Sequence, residues 1–186
     1  MSQHQLLIKR LALYVVGLFF LSFGVSLSIA ANLGVSPVSS LSYALSLTSG
    51  ISVGTTTIVM HILYIIIQII LTKSFDLKNA LIQLGIAFLF GFFIDTSLVL
   101  IGAMLPIATN LFVKLLYMIV SFFLVGGGLF IYSAAKYTLM PYDELTKTIS
   151  SVYQMPFGKA KIIGDVDNVI VAAAICLILL RSFGSI

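Results

Sequence analysis

Five long and continuous apolar runs limit what this chain can fold into. They extend from Leu11 to about Ala31, Val53 to Leu71, Ala80 to Leu105, Leu111 to Ala135 and Lys159 to Leu180. At about 1.5 Å of rise per residue, runs of this length match a hydrocarbon layer of about 30 Å. Their apolar residues are continuous rather than alternating at every second position, so spanning helices are expected and barrel strands are not. Composition agrees: 60% of the 186 residues are hydrophobic and only 9% are charged. A mean hydropathy of +1.18 leaves too little polar surface for a water-soluble domain. The lipid bilayer is therefore the first expected partner. The net charge of +4 is carried by scattered bases with no Trp among them, a pattern that fits membrane orientation and excludes a nucleic-acid surface. Cys176 is the single cysteine and lies in an apolar run, so it forms no internal disulfide and reads as a packing residue. The basic N-terminal flank, MSQHQLLIKR, is followed by no small-residue cleavage site, and the first helix is expected to stay as an anchor.

Two shorter and more polar segments interrupt the runs. One starts at Leu33-Gly34-Val35-Ser36-Pro37 and continues to Ser49-Gly50-Ile51-Ser52. Ser36 before Pro37 predicts a helix start, with a hydroxyl N-cap and proline at the first helical position. The other lies within Lys136 to Phe157 and begins at Met140-Pro141-Tyr142-Asp143-Glu144-Leu145. A dozen helical residues reach only about 18 Å. The expected fold is thus an all-α integral membrane protein, a single domain over residues 1–186. It has five transmembrane helices and two short half-helices that are re-entrant or interfacial.

Basic residues orient the chain. Lys9, Arg10, Lys73, Lys78, Lys136, Lys147, Lys159 and Lys161 fall on one side, and only Lys114 and Arg181 fall near the other. The positive-inside rule then predicts a cytoplasmic N-terminus and a C-terminus outside.

The chain also matches itself without gaps at an offset of 104 residues. Pro37 falls on Pro141, Leu41 on Leu145, Ser46 on Ser150, Gly54 on Gly158 and Ile58 on Ile162. Upstream, Gly24 falls on Gly128 and Ala30-Ala31 on Ala134-Ala135. Repeat one covers about 7–105 and repeat two about 111–186. Three crossings separate equivalent points, an odd number, so the repeats are expected to be inverted, as in many transporters with midplane sites. The sixth crossing of the repeat does not occur before Ile186, and a second subunit is the expected source of it.

Within the fifth run stand Asp165, Asp167 and Asn168. A carboxylate at such depth costs about 2.5–3.5 kcal/mol on insertion scales, so it faces a bundle interior, a watery cavity or a paired base. Asp165 and Asp167 point about 160° apart on a helix and do not converge on one ligand. Lys161, four residues before Asp165, is the natural base for one of them. Under the repeat, His61 corresponds to Asp165 and Tyr64 to Asn168, each pair on one helix face. His61 is a candidate proton carrier, against the alternative of a satisfied core histidine. Asp95, in Gly91-Phe92-Phe93-Ile94-Asp95-Thr96, is a further site candidate. Asp143 and Glu144 occupy a first helical turn, where the dipole favours acids whether or not a ligand is present. Ser36 stands at the equivalent start, where an exposed helix end can receive an anionic group. Gly126-Gly127-Gly128 reads as a helix-packing face. The chain has no Gly-x-Ser-x-Gly, no His-Glu-x-x-His, no phosphate loop and no Cys/His cluster, so no enzyme, cofactor or metal is expected.

At Leu33-Gly34-Val35-Ser36-Pro37, Gly50-Ile51-Ser52-Val53-Gly54-Thr55, Gly91-Phe92-Phe93-Ile94-Asp95 and Met140-Pro141-Tyr142-Asp143 the chain resembles the YczE/YyaS/YitT group of bacterial membrane proteins, the YczE-like branch above all. It departs at Thr138-Leu139-Met140, where the group carries a glycine-rich stretch. The resemblance covers nearly the whole chain and implies a multi-pass protein of the bacterial cell membrane, often described as a transporter.

Together these features point to a small-solute transporter with a midplane site, coupled to protons through a carboxylate. The alternatives are a non-transporting binding or assembly subunit, in a homodimer or a larger membrane complex, and a passive channel. If the half-helices are re-entrant, cysteines placed at Ser40 and Thr148 should resist a membrane-impermeant thiol reagent. Labelling of both from bulk water would leave only the interfacial placement.

Overall fold

The structure, a computed structural model, describes residues 3–74 and 76–181. Phe75 of the first polar loop and residues 182–186 of the second repeat lie outside the described residues. Among the described residues there are seven α-helices and no strand: α1 (Gln3–Ala31), α2 (Pro37–Ser49), α3 (Val53–Thr72), α4 (Leu77–Met104), α5 (Leu111–Ala134), α6 (Pro141–Val152) and α7 (Phe157–Leu180). Five of them, α1, α3, α4, α5 and α7, are long and apolar enough to cross a membrane. The other two are the short segments that begin at Pro37 and Pro141. Helix starts therefore recur at the repeat offset, at Pro37 and Pro141 and again at Val53 and Phe157.

Proline opens both short helices because its missing N–H is one the first turn cannot bond and its φ already suits a helix. Ser36 does hold the N-cap position of α2 with extended backbone, but its hydroxyl does not cap the helix. It donates instead to Ser39 Oγ at 3.0 Å, so the expected hydroxyl cap is corrected to a side-chain pair. At the other end Gly50 takes φ +72°, a left-handed stop that glycine adopts without Cβ strain. Further along, Ser52 caps α3 through Thr55 N and Asn110 caps α5 through Val113 N, at 3.2 and 2.9 Å.

The chain forms two compact units. One holds Met1–Gly34 and Phe92–Tyr137, hence α1, α5 and the second half of α4. Here α1 lies along α5 at a distance that only small residues allow. A Cβ at Gly17 would overlap the Tyr132 backbone, and one at Gly128 would stand 2.5 Å from Leu21 N. Ser121 Oγ donates to Gly24 O at 2.8 Å. The pairing is reciprocal: Gly17 meets Gly128, while Gly24 meets Ser121, and each pair maps onto the other at the repeat offset. Beside this seam, Leu27, Ala31, Ile101, Ala108 and Tyr117 make an apolar cluster.

The other unit holds Val35–Gly91 and Thr138–Ile186, with α2, α3, α6, α7 and the first half of α4. Its helices pack crosswise, α2 on α7 and α3 on α6, besides the sequential pairs α2 on α3 and α6 on α7. Leu41, Ala44, Met60, Tyr64, Tyr142, Leu145, Ala172 and Cys176 form its apolar core, so Cys176 is the packing residue its position suggested.

Of the three glycines at 126–128, only Gly128 is pressed against a neighbour, while a Cβ at Gly126 or Gly127 meets nothing. Gly128→Ala should therefore lower stability in detergent by about 1–3 kcal/mol through overpacking. Gly126→Ala and Gly127→Ala should hold or slightly raise it through helix propensity. Thermal unfolding of the three variants checks the contrast.

Candidate functional site

The polar residues of the second unit gather where α3, α6 and α7 approach. Tyr64 and His61 lie one turn apart on α3, and both are buried. Tyr64 donates its phenolic hydrogen to Asn168 Oδ1 on α7 at 3.0 Å. Their separation is 104 residues, the offset of the sequence self-match. Asn168 is buried, and its Nδ2 finds no partner among the described residues. His61 is 2% exposed and stacks on Phe90 with ring centroids 5.8 Å apart, yet its Nδ1 is likewise without a partner. Two orphaned polar atoms in one buried apolar region are costly, at about 1–3 kcal/mol each, and are uncommon enough to require a reason.

One turn nearer the start of α7, Asp165 accepts a 2.5 Å hydrogen bond from the Tyr142 hydroxyl on α6. Lys161 stands four residues before it and places Nζ 3.7 Å from Asp165 Oδ1 and 3.3 Å from Asp143 Oδ1. The same ammonium lies 4.1 Å from the centroid of the Tyr142 ring, where the face of the π-system is negative. Burial pushes the Tyr142 phenol well above its ordinary value, and the Asp165 hydrogen bond and charge push it the same way. Tyr142 therefore remains a donor, and Asp165 is held by two partners of which one is a cation. The Tyr64 and Tyr142 rings, 5.4 Å apart, join this ionic cluster to the buried Tyr64–Asn168 pair.

Not every sequence candidate joins this group. Asp167 lies exposed on α7, away from the half-buried Asp165 as the helical angle between them required. Asp95 belongs to the first unit, half-buried on α4. Ser36 begins α2 and is engaged with Ser39. Glu144 pairs with Lys147 at 3.2 Å on the exposed side of α6 and borders a separate polar cavity. Asp143 is tied to Lys161, a role its place in the first turn of a helix did not disclose.

Sequence reasoning missed Tyr142 as a site residue, although it stands in a quoted motif. The repeat carried a signal, because Tyr142 aligns with Val38 just as Asp165 aligns with His61. Both chemically distinct partners thus lie in the second copy. Gln68 and Gln83 were missed as well; they are carboxamides inside apolar runs, and they bond each other at 3.1 Å.

Residues 8–186 match a protein family described as a family of unknown function, DUF6198. The chain belongs to this family. It is similar to two proteins of Bacillus subtilis (strain 168). With the uncharacterized protein YyaS it shares 33% identity over 73% of this chain and 66% of that protein. With the uncharacterized membrane protein YczE it shares 30% identity over 78% of this chain and 65% of that protein. It therefore spans slightly under two thirds of the length of each. No solved structure matches it. The family match agrees with the motif resemblance, and with five apolar spans the DUF6198 chain is a multi-pass membrane protein.

The Tyr64–Asn168 bond can be weighed by a double-mutant cycle of Tyr64→Phe and Asn168→Ala. Buried polar pairs between membrane helices couple by about 0.6–1.7 kcal/mol, and a value in that range is expected from unfolding in detergent. Strict additivity of the two changes would contradict the pairing.

Proposed function

We propose that the chain is a small-solute membrane transporter whose solute site is built around His61, Tyr64, Asp165 and Asn168. The observation that carries this reading is the Tyr64–Asn168 hydrogen bond. It joins equivalent residues of an internal repeat inside apolar spans, and it leaves a donor of Asn168 and a ring nitrogen of His61 open in its surroundings. Inverted-repeat transporters hold their substrates where the two copies meet, near the midplane, beside interrupted helices.

In this reading repeat one (about 7–105) and repeat two (about 111–186) are inverted copies, and α2 and α6 are re-entrant half-helices beside the site. The N-terminus is cytoplasmic and the C-terminus outside, in a bacterial cell membrane. Coupling follows from the contacts of Asp165. Protonation would remove one charge partner of Lys161 and weaken the bond from Tyr142, loosening one link between α6 and α7 while Lys161 keeps its pair with Asp143. The chain moves a solute without covalent chemistry and is not an enzyme.

One observation favours a second reading, a binding or assembly subunit in a homodimer or larger complex. Asp167 is exposed on an apolar helix, and a lipid-facing carboxylate there costs about 2.5–3.5 kcal/mol that a polar partner would relieve.

A thermal-shift screen of the purified protein against metabolites and ions, beside Asp165→Asn, separates the readings. A transported solute at about 100 times its Kd should stabilise the wild type by about 2.7 kcal/mol and the variant far less. If no compound shifts either protein and the variant is as stable as the wild type, the subunit reading takes precedence.

A further inference from the structure

The last turns of α3, the start of α4 and one face of α6 line a partly open cavity of about 140 Å³ within the second unit. It shares no lining residue with the His61–Asp165 cluster. Its inner wall is the carboxamide pair Gln68 and Gln83, 7% and 2% exposed. They exchange two hydrogen bonds of 3.1 Å, and Gln68 Nε2 also donates to Pro141 O at 2.9 Å. Each carboxamide nitrogen carries two hydrogens. Both on Gln68 are used, whereas Gln83 retains one with no acceptor among the described residues. A buried N–H left open beside a cavity marks where an acceptor atom of a guest would sit.

The remaining wall includes Glu144, Thr148 and, at its exposed rim, Asp76 and Thr72, and among the described residues no Lys, Arg or His lines it. Asp76 spends one oxygen on the backbone N–H of Asn79, at 3.2 Å, where it starts α4. Glu144 has Lys147 as an ion partner, but that lysine side chain is 61% exposed and reaches the carboxylate from outside, so the pair is screened and weak. Lys73 and Lys78 flank the neighbouring loop and are exposed. Among the described residues no three His, Cys, Asp or Glu converge as a metal cage would need. The volume is well below the roughly 300 Å³ at which drug-sized sites begin.

From this we infer that the cavity binds a small primary ammonium compound carrying one oxygen acceptor. The ammonium donates its three hydrogens to the carboxylates and side-chain oxygens, and the oxygen accepts from Gln83. The site is independent of the transport reading, and either can fail alone.

The test uses the full chain in detergent, with ethanolammonium chloride titrated against sodium chloride at matched ionic strength. Ethanolammonium should raise the unfolding temperature saturably, and sodium should not. Glu144→Gln should weaken the apparent affinity about tenfold, and Thr148→Phe, which fills the cavity, should abolish the shift. Ethylammonium lacks the oxygen and should bind more weakly than ethanolammonium. No saturable shift, a shift reproduced by sodium chloride, or a shift unchanged in either folded variant overturns the site. Equal binding of ethylammonium overturns the role of Gln83. If Glu144→Gln does not fold, Thr148→Phe decides alone.

Discussion

Polar groups inside apolar spans must find partners within the protein, because hydrocarbon offers them none. The second unit is arranged by this demand. Tyr64 reaches Asn168, Tyr142 and Lys161 hold Asp165, and Gln68 closes on Gln83 while bonding the carbonyl that begins α6. The bonds of Tyr64, Tyr142 and Gln68 link different helices, so each fixes a register that apolar packing alone would leave loose, while the Lys161–Asp165 pair lies within α7. His61 Nδ1 and Asn168 Nδ2 are the exceptions, and their proximity to the satisfied bonds is what makes the region a candidate site.

Within each unit the helix pairings follow the 104-residue offset, and the chemistry does not. Helix starts recur 104 residues apart, and the pairings of α1 with α5, α2 with α7 and α3 with α6 are unchanged when each helix is exchanged for the one at that offset. At equivalent positions, however, His61 faces the role of Asp165, and Val38 that of Tyr142. The ionic cluster of Lys161, Asp143, Asp165 and Tyr142 is therefore built wholly on α6 and α7. Symmetry in packing requires only similar sizes at equivalent places, as at Gly24 and Gly128, whereas titratable groups act through one local charge and need no counterpart.

Small residues serve the first unit as polar ones serve the second. Gly17, Gly24 and Gly128 let α1 and α5 come within contact of each other's backbone, and Ser121 adds one hydrogen bond across the seam. Without a hydrophobic driving force between helices in lipid, such close approach is the main source of attraction. Gly126 and Gly127 carry the same composition but meet nothing, since only every third or fourth residue of a helix shares a face.

The sequence by itself determined the five apolar helices, the two proline-started short helices between them and the offset that relates them. These are local matters of run length, capping residues and a gapless self-match, and the helix bounds agree with them within about three residues except at the start of α1, which begins at Gln3 ahead of its run from Leu11. Part of the site was legible too, because Asp165 and Asn168 are conspicuous in an apolar run and Lys161 stands one turn before Asp165. What only the tertiary structure decided is which polar groups meet. Periodicity placed Asp165 and Asp167 on opposite faces without saying which faced a neighbouring helix; packing against α6 chose Asp165. No local pattern could join Tyr142 to Asp165, Lys161 to Asp143 or Gln68 to Gln83, which are separated by 15 to 23 residues and held on different helices. Spacing along one helix gives direction, but a contact between helices depends on their crossing, and that is set by side chains from the whole unit at once.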